Sequence, residues 1–467
     1  MPKKYNIATS PAPPRLHPVG KYSTVEFREE CAGSCKLCVK KKCVYNIFAD
    51  NYFHMSKMDE PEYLYACNSC FRCVQECTRG IFSRVINPEY RTLGDEYWTS
   101  NIINRTWYQA HTGAIPVSGA GYRGPFSGEG FDSIWTDMSE IVRPTRDGIH
   151  GREYINTMIE LSRRPQGLRF NEDGSLATEV APILESPIPI VFKMPEDFGV
   201  MSEGVLLSAA KAANDLDAFM LVKPEFVRGK MKPYTKSLVP QLTADTIGKF
   251  ENLVKKCRMV EIEWAQDIET LVSKLKDINP DVYISVGVKL DGNAAKKAVE
   301  LSGAGIDTIH YKASHHGKET DVDNPRYLRD AIRDVHLALV ENSARLKVNI
   351  LFSGGIAMAE HVVKAIICGA DGVVLDSSLL LAMECRLCKR CTEGLSCTAE
   401  LEEIDVTFGS TRIKNLMGAW RNQMLEMLGA MGLREVRRLR GEVGRSMWFE
   451  NLEKENFGPI FGERKVP

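Results

Sequence analysis

The sequence has no apolar run approaching the roughly 20 residues that a membrane-spanning helix requires. Neither sign of charge is in excess, with 60 Lys and Arg against 61 Asp and Glu, so no global field favours nucleic acid or an anionic surface. The first residues, MPKKYNIATSPAPP, lack the apolar core of a signal peptide and read as a flexible arm. No G-x-G-x-x-G follows any strand candidate, which removes the dinucleotide fingerprint of an open doubly wound sheet. These absences predict a cytoplasmic protein with neither a nucleic-acid partner nor a membrane span. At 467 residues the chain is long enough for two or three domains.

Cysteine is abundant. Twelve of the 14 cysteines fall into three tight groups, and Cys257 and Cys368 stand alone in apolar surroundings as core residues. The groups are Cys31, Cys35, Cys38, Cys43; then Cys67, Cys70, Cys73, Cys77; then Cys385, Cys388, Cys391, Cys397. The second has two, two and three intervening residues, the ferredoxin run in which a tight loop aims three thiolates at one cluster face. Zinc knuckles instead separate C-x2-C pairs by a longer loop. Eight N-terminal cysteines therefore predict a ferredoxin-like module, residues 1–100, with two [4Fe–4S] clusters. Two departures are visible: the first group is irregularly spaced, and Val44 and Thr78 stand where Pro usually follows the last cysteine. Lys40-Lys41-Lys42 is either a solvated loop or a docking point for an acidic electron carrier.

Residues 101–182, rich in Gly, Pro, Arg and Tyr, read as a connecting segment wrapped over a larger domain. From Pro187 short apolar runs alternate with helical periods, the pattern of parallel strands and crossovers. Seven strands are legible, at 188–192, 218–222, 260–263, 282–289, 308–311, 348–352 and 373–375, and an eighth is expected between Lys223 and Pro240. The fold class is α/β: a (β/α)8 TIM barrel over 183–400 behind the iron–sulfur module, with a helical tail over 401–467.

Barrel sites lie at the C-terminal strand ends, often with a phosphate on the loops after the last two strands. Those ends carry Ser353-Gly354-Gly355 and Asp376-Ser377-Ser378, each before a helix. The first strand leads to Gly199, where a flat ring could approach the backbone. Lys289 ends an apolar strand and needs an anionic partner, a reduced flavin or a local carboxylate. His315 and His316, after the fifth legible strand, are either proton carriers or exposed loop residues. A phosphate cup beside clustered cysteines points to a flavin wired to iron–sulfur centres.

The pieces FGVMS (198–202), VGVKL (286–290), the SGG turn and its helix (353–367), ICGADGVVLDSS (367–378), the cysteines of 385–397 and GLREVRRLRG (432–441) occur in the order found in a known family. The chain resembles the FMN-binding synthase domain of glutamate synthase, in its archaeal-type form behind a ferredoxin module. The resemblance implies FMN in the barrel mouth, with Gly199, Met201 and Ser202 along the ring, Lys289 facing N1–C2=O, and Gly354, Gly355, Ser377 and Ser378 on the phosphate. It also implies a third cluster on Cys385, Cys391 and Cys397, [3Fe–4S] in large bacterial forms and [4Fe–4S] here given Cys388. The activity implied is reductive amination of 2-oxoglutarate by reduced FMN, with ammonia free or from a partner, since no amidotransferase segment is present.

Two stretches depart from that family. Its G-G-T-G loop is replaced by Ala313-Ser314-His315-His316-Gly317-Lys318, and its P-G-x-G-G stretch by Trp264-Ala265-Gln266-Asp267-Ile268. Flavin binding is expected to survive these changes. The glutamate chemistry is set against two alternatives: an electron-transfer subunit of a larger redox complex, or a flavin reductase with another substrate and His315 or His316 as proton donor. A redox partner and an oligomer or complex are expected in each case.

Overall fold

The computed structural model describes residues 5–16, 23–27, 43–47, 67, 70–115, 130–136, 154–163, 169–177, 183–195 and 202–462. Eight parallel strands close a barrel: β1 (Ile190–Lys193), β2 (Met220–Val222), β3 (Leu238–Leu242), β4 (Met259–Glu263), β5 (Tyr283–Lys289), β6 (Thr308–Lys312), β7 (Asn349–Ser353) and β8 (Gly372–Leu375). Each strand pairs with the next in sequence, and β8 closes on β1 through Val373–Ile190, Val374–Val191 and Leu375–Phe192. The strands are short buried runs of Val, Ile, Leu and Phe, as a sheet covered on both faces demands.

The eighth strand begins near the far end of its expected window and runs two residues past it, to Leu242. Short 3-10 turns at Pro224–Phe226 and Gly229–Ser237 take the place of a crossover helix before it. Pro240 gives up a ladder donor inside β3, which hides that strand from a pattern search.

Helices α1 (Glu203–Asp215), α2 (Ile268–Ile278), α3 (Ala294–Leu301), α4 (Leu328–Glu341), α5 (Ala359–Cys368) and α6 (Ser377–Ala382) surround the barrel, and the long α7 (Val406–Ala430) lies against α1. No helix among the described residues is long and apolar enough to cross a membrane.

The bottom of the barrel is sealed by residues 154–163. The first residues of β6 and β7 hold that segment: Thr308 Oγ1 donates to Leu161 O at 2.8 Å, and Asn349 Nδ2 to Ser162 O at 2.7 Å. The N-terminal arm is tied down rather than loose. Asn415 on α7 accepts from the Ser10 N–H at 3.1 Å and donates to Ser10 O at 2.7 Å, while fully buried Arg412 donates to Ala12 O at 2.9 Å. Two polar side chains 400 residues away supply that order, so local composition could not announce it.

The chain divides into two compact units. One comprises residues 1–12, 105–385 and 389–467 and contains the barrel; the other comprises 13–104 with 386–388. In the second, Ser23–Phe27 pairs antiparallel with Phe82–Ile86 beside a short helix, Arg72–Glu76.

Candidate active site at the barrel mouth

A parallel strand alternates its side chains between the barrel interior and the surrounding helices. On β4 this turns Glu261 inward, in register with Gln241 on β3 and Ser285 on β5. Gln241 Nε2 donates to Glu261 Oε1 at 2.9 Å, and His310 Nδ1 lies 2.8 Å from Oε2. On its other side His310 Nε2 lies 2.9 Å from Ser353 Oγ. Glu261, His310 and Ser353, from β4, β6 and β7, thus form one hydrogen-bonded row across the barrel.

The charges in this row are set by what surrounds them. Burial alone would raise the Glu261 carboxyl, but His310, Lys312 and the Gln241 donor outweigh it and bring its pKa down to about 2. For His310, burial disfavours the imidazolium, and Lys193 and Lys312 add to that; Glu261 opposes them, and the net direction is downward. An ionised Glu261 beside a neutral ring puts the proton on Nδ1, which donates to the carboxylate. Nε2 is then left to accept from the Ser353 hydroxyl.

Above this row the mouth is charged. Lys312 crosses β5 at Gly287, where an added Cβ would meet Lys312 Nζ at 2.9 Å and Glu261 Oε1 at 3.0 Å. Asp376, at the end of β8, is pushed up by burial and held down by its bond from the Ser377 N–H and by Lys193. Lys289 sits in register with Lys312, but its side chain is exposed and pairs with Asp321 at 2.9 Å.

The two strand ends chosen from the sequence do come together. Gly354 and Gly355 have φ of 97° and 66°, and the loop after β6 lies where their side chains would be: Ser314 O is 2.4 Å from a Cβ built on Gly354, and Gly317 Cα 2.6 Å from one built on Gly355. His315 from that loop meets Ser377 Oγ at 3.1 Å through Nδ1, and the His315 and His316 rings lie 5.3 Å apart. Ser378 is fully buried and donates to Ile356 O at 2.8 Å. Ser202 caps α1 by accepting from the Val205 N–H at 3.2 Å and donates to Leu401 O at 2.9 Å. Gly199 and Met201 lie outside the described residues, as do Cys31, Cys35, Cys38 and Lys40–Lys42.

No disulfide joins the described cysteines. Burial raises the Cys73 thiol to about 11, and Cys67 and Cys70 are near enough to push it further the same way. Such a thiol needs a cation or metal to become a ligand thiolate. Cys43, Cys67 and Cys77 are partly exposed and Cys70 exposed; in the third group Cys385 is buried, Cys391 and Cys397 partly exposed and Cys388 exposed. Of nine non-glycine residues with positive φ among the described residues, Phe71, Glu384, Leu387 and Lys389 lie within these groups or next to them. Left-handed backbone at ordinary residues costs about 1–3 kcal/mol each and persists where surroundings impose it.

Glu261, His310, Lys312 and Lys193 are the residues that sequence reasoning did not select. The signal was present in Glu261, His310 and Lys193: a charged or titratable side chain between buried apolar neighbours on a barrel strand, the argument that singled out Lys289.

Comparison with known proteins finds similarity along most of the chain. Residues 251–434 match the family model described as the conserved region in glutamate synthase. Archaeal glutamate synthase [NADPH] of Archaeoglobus fulgidus is 25% identical, over 93% of this chain and 96% of its own length. The enzyme of the same name from Methanocaldococcus jannaschii is 26% identical over 83% of this chain and 94% of its own. The archaeal-type enzyme of Dehalococcoides mccartyi is 24% identical over 86% and 92%. Among solved structures, a mutant flavocytochrome b2 with pyruvate bound aligns over 78% of this chain at 12% identity and a TM-score of 0.42, too loose to add to what the barrel displays. On the matched region and on similarity along most of its length, the chain is similar to the glutamate synthase family, at about a quarter identity.

Proposed function

We propose that this protein is an oxidoreductase of the glutamate synthase type. In this reading electrons pass through iron–sulfur clusters on the cysteine groups to FMN at the barrel mouth, for reductive amination of 2-oxoglutarate with ammonia. The carrying observation is that the conserved region, 251–434, includes strands β4 to β8, the mouth they form and the third cysteine group.

The residues present suit an FMN in the mouth, with one redirection. Lys312 and Lys193 supply cations beside the interior carboxylates, the role that the sequence assigned to Lys289. The glycine turn after β7 keeps side chains away from that wall. The Ser377 and Ser378 hydroxyls are engaged by His315 and Ile356, and Asp376 accepts from the first N–H of α6. A phosphate would therefore rest on main-chain groups of the β7 turn that Ser314 to Gly317 leave uncovered rather than on these hydroxyls. Bound FMN would supply a carrier that accepts single electrons and delivers hydride. The lysine ammonium groups would hold the substrate's carboxylates, and the loop carrying His315 and His316 would cover the mouth. An electron-donating partner and a source of ammonia complete the reading.

Anaerobic reduction of the reconstituted protein, followed by mixing with 2-oxoglutarate and ammonium, tests it. Flavin reoxidation that requires both substrates is expected, and indifference to both would overturn amination. The second reading, a redox subunit without glutamate chemistry, is favoured by one feature: the loop Ala313–Lys318 replaces the family's glycine-rich loop and packs onto Gly354 and Gly355.

A further inference from the structure

We infer that Ser353, His310 and Glu261 form a proton relay that opens to the barrel mouth at the Ser353 hydroxyl and takes a proton from the N–H of an amine-bearing substrate. The inference rests on the proposed function for its substrate, but its geometry stands independently. Three strands converge on it: Ser353 Oγ to His310 Nε2 at 2.9 Å, then His310 Nδ1 to Glu261 Oε2 at 2.8 Å. His310 is fully enclosed and Glu261 nearly so, at 2% exposure, whereas Ser353 retains 5% and adjoins the Gly354-Gly355 turn. The open end of the relay is therefore the serine.

The transfer is balanced without any electron moving. A substrate N–H proton goes to Ser353 Oγ as the Ser353 proton goes to His310 Nε2. The substrate nitrogen keeps its bonding pair, and the imidazolium is held by the ionised Glu261. Running backwards, the same path protonates a newly reduced nitrogen. A hydroxyl bonded to a base that is itself oriented by a carboxylate is the arrangement that general-base chemistry requires. Gln241 holds the other carboxylate oxygen and keeps Glu261 turned toward the ring. The charged groups facing His310 are Glu261 from β4, Lys312 on its own strand and Lys193 from β1. The two lysines resist a further positive charge on the ring, so the proton is held only while substrate neutralises the mouth. Ser353 and His310 are catalytic here, and Glu261 is a positioning residue.

The full-length reconstituted protein, labelled with 15N-histidine, supplies a readout separate from turnover. His310 signals, identified by their loss in His310→Gln, are expected to show the Nδ1–H tautomer at neutral pH and to move toward the imidazolium when glutamate is added. Ser353→Ala should abolish the glutamate-induced change and lower kcat about 10²- to 10⁴-fold, with KM within about threefold. Glu261→Gln should shift the acidic limb of the kcat profile, and Glu261→Asp should partly restore it. An Nε2–H tautomer, or a Ser353→Ala protein with wild-type kcat and pH profile, would overturn the relay. If flavin reoxidation fails to need 2-oxoglutarate and ammonium while the tautomer and the glutamate response are as expected, the glutamate synthase reading falls and the relay stands. The reverse pattern removes the relay alone.

Discussion

Gly287 shows how one missing side chain sets the charge of the site. Lys312 reaches the interior only because nothing projects from β5 where its chain crosses. Gly287→Ala should cost about 1–3 kcal/mol, since the new methyl must displace the lysine terminus and crowd Glu261. Most of that cost should vanish when Lys312 is also cut back to Ala, giving a coupling of about 0.5–3 kcal/mol in a denaturant double-mutant cycle. Additive costs would mean that Lys312 is not what the glycine accommodates. The comparison with Lys289 also marks a limit of reading from sequence. Lys289 and Lys312 are register partners at the ends of adjacent strands, and their side-chain parity is the same. Nothing local tells that Asp321, 32 residues on, draws the first outward while Gly287 admits the second. Glu261 and His310 were legible in principle, because each interrupts a buried apolar run. What the sequence could not supply was that they face one another across strands 49 residues apart.

At the scale of elements, the mouth is built by the turn after β7 and the loop after β6, and these depend on each other. The SGG turn was visible in the sequence as a phosphate cup; in the fold its glycines also admit the backbone of Ser314 to Gly317. Both φ values lie in the left-handed region, which excludes an ordinary side chain on conformational grounds before any clash is counted. Gly355→Ala should therefore cost about 2–4 kcal/mol from strain and displacement together. Because His315 is carried on the displaced loop, its contact with Ser377 should be lost as well. A shifted His315 ring-nitrogen signal accompanying the lower denaturation midpoint would confirm the coupling, and a destabilised protein with an unchanged His315 signal would refute it. The barrel strands themselves were readable because parallel strands buried on both faces are continuous apolar runs bounded by turns. β3 was only half readable, since Pro240 and the 3-10 turns before it mimic a loop.

Across the whole molecule, one tie between the barrel and its C-terminal segment is a buried carboxylate. Asp371, just before β8, accepts from Arg345 at 2.8 Å and from the Ile350 N–H of β7 at 2.8 Å through Oδ2, while Arg440 lies 2.7 Å from Oδ1. Arg440 belongs to the GLREVRRLRG stretch, which the sequence offered only as a matching motif; its physical work is to meet Asp371 from outside the barrel. Despite complete burial, the two arginines and the Ile350 N–H hold the Asp371 carboxyl below the ordinary carboxylate range. A carboxyl with a lowered folded-state pKa contributes stability that is present above its unfolded pKa and lost as pH falls toward the folded value. His336, whose Nδ1 accepts from Arg345 at 3.1 Å, is brought down to about 4 by burial and by Arg345. Its contribution is lost over a higher range, from about 6.5 down to about 4. Acid unfolding should therefore have two parts, an upper one from His336 and a lower one, below about 4, to which Asp371 contributes. Asp371→Asn should cost about 3–5 kcal/mol at neutral pH, because two arginines lose their buried counter-charge. The same substitution should flatten the lower part of the acid profile and extend the upper part to lower pH, because the Asp371 charge raises the His336 pKa. Urea titrations of wild-type and Asp371→Asn protein at several pH values between 3 and 7 measure both effects, and a variant that kept the full slope below pH 4 would show that another carboxylate ties the tail to the barrel.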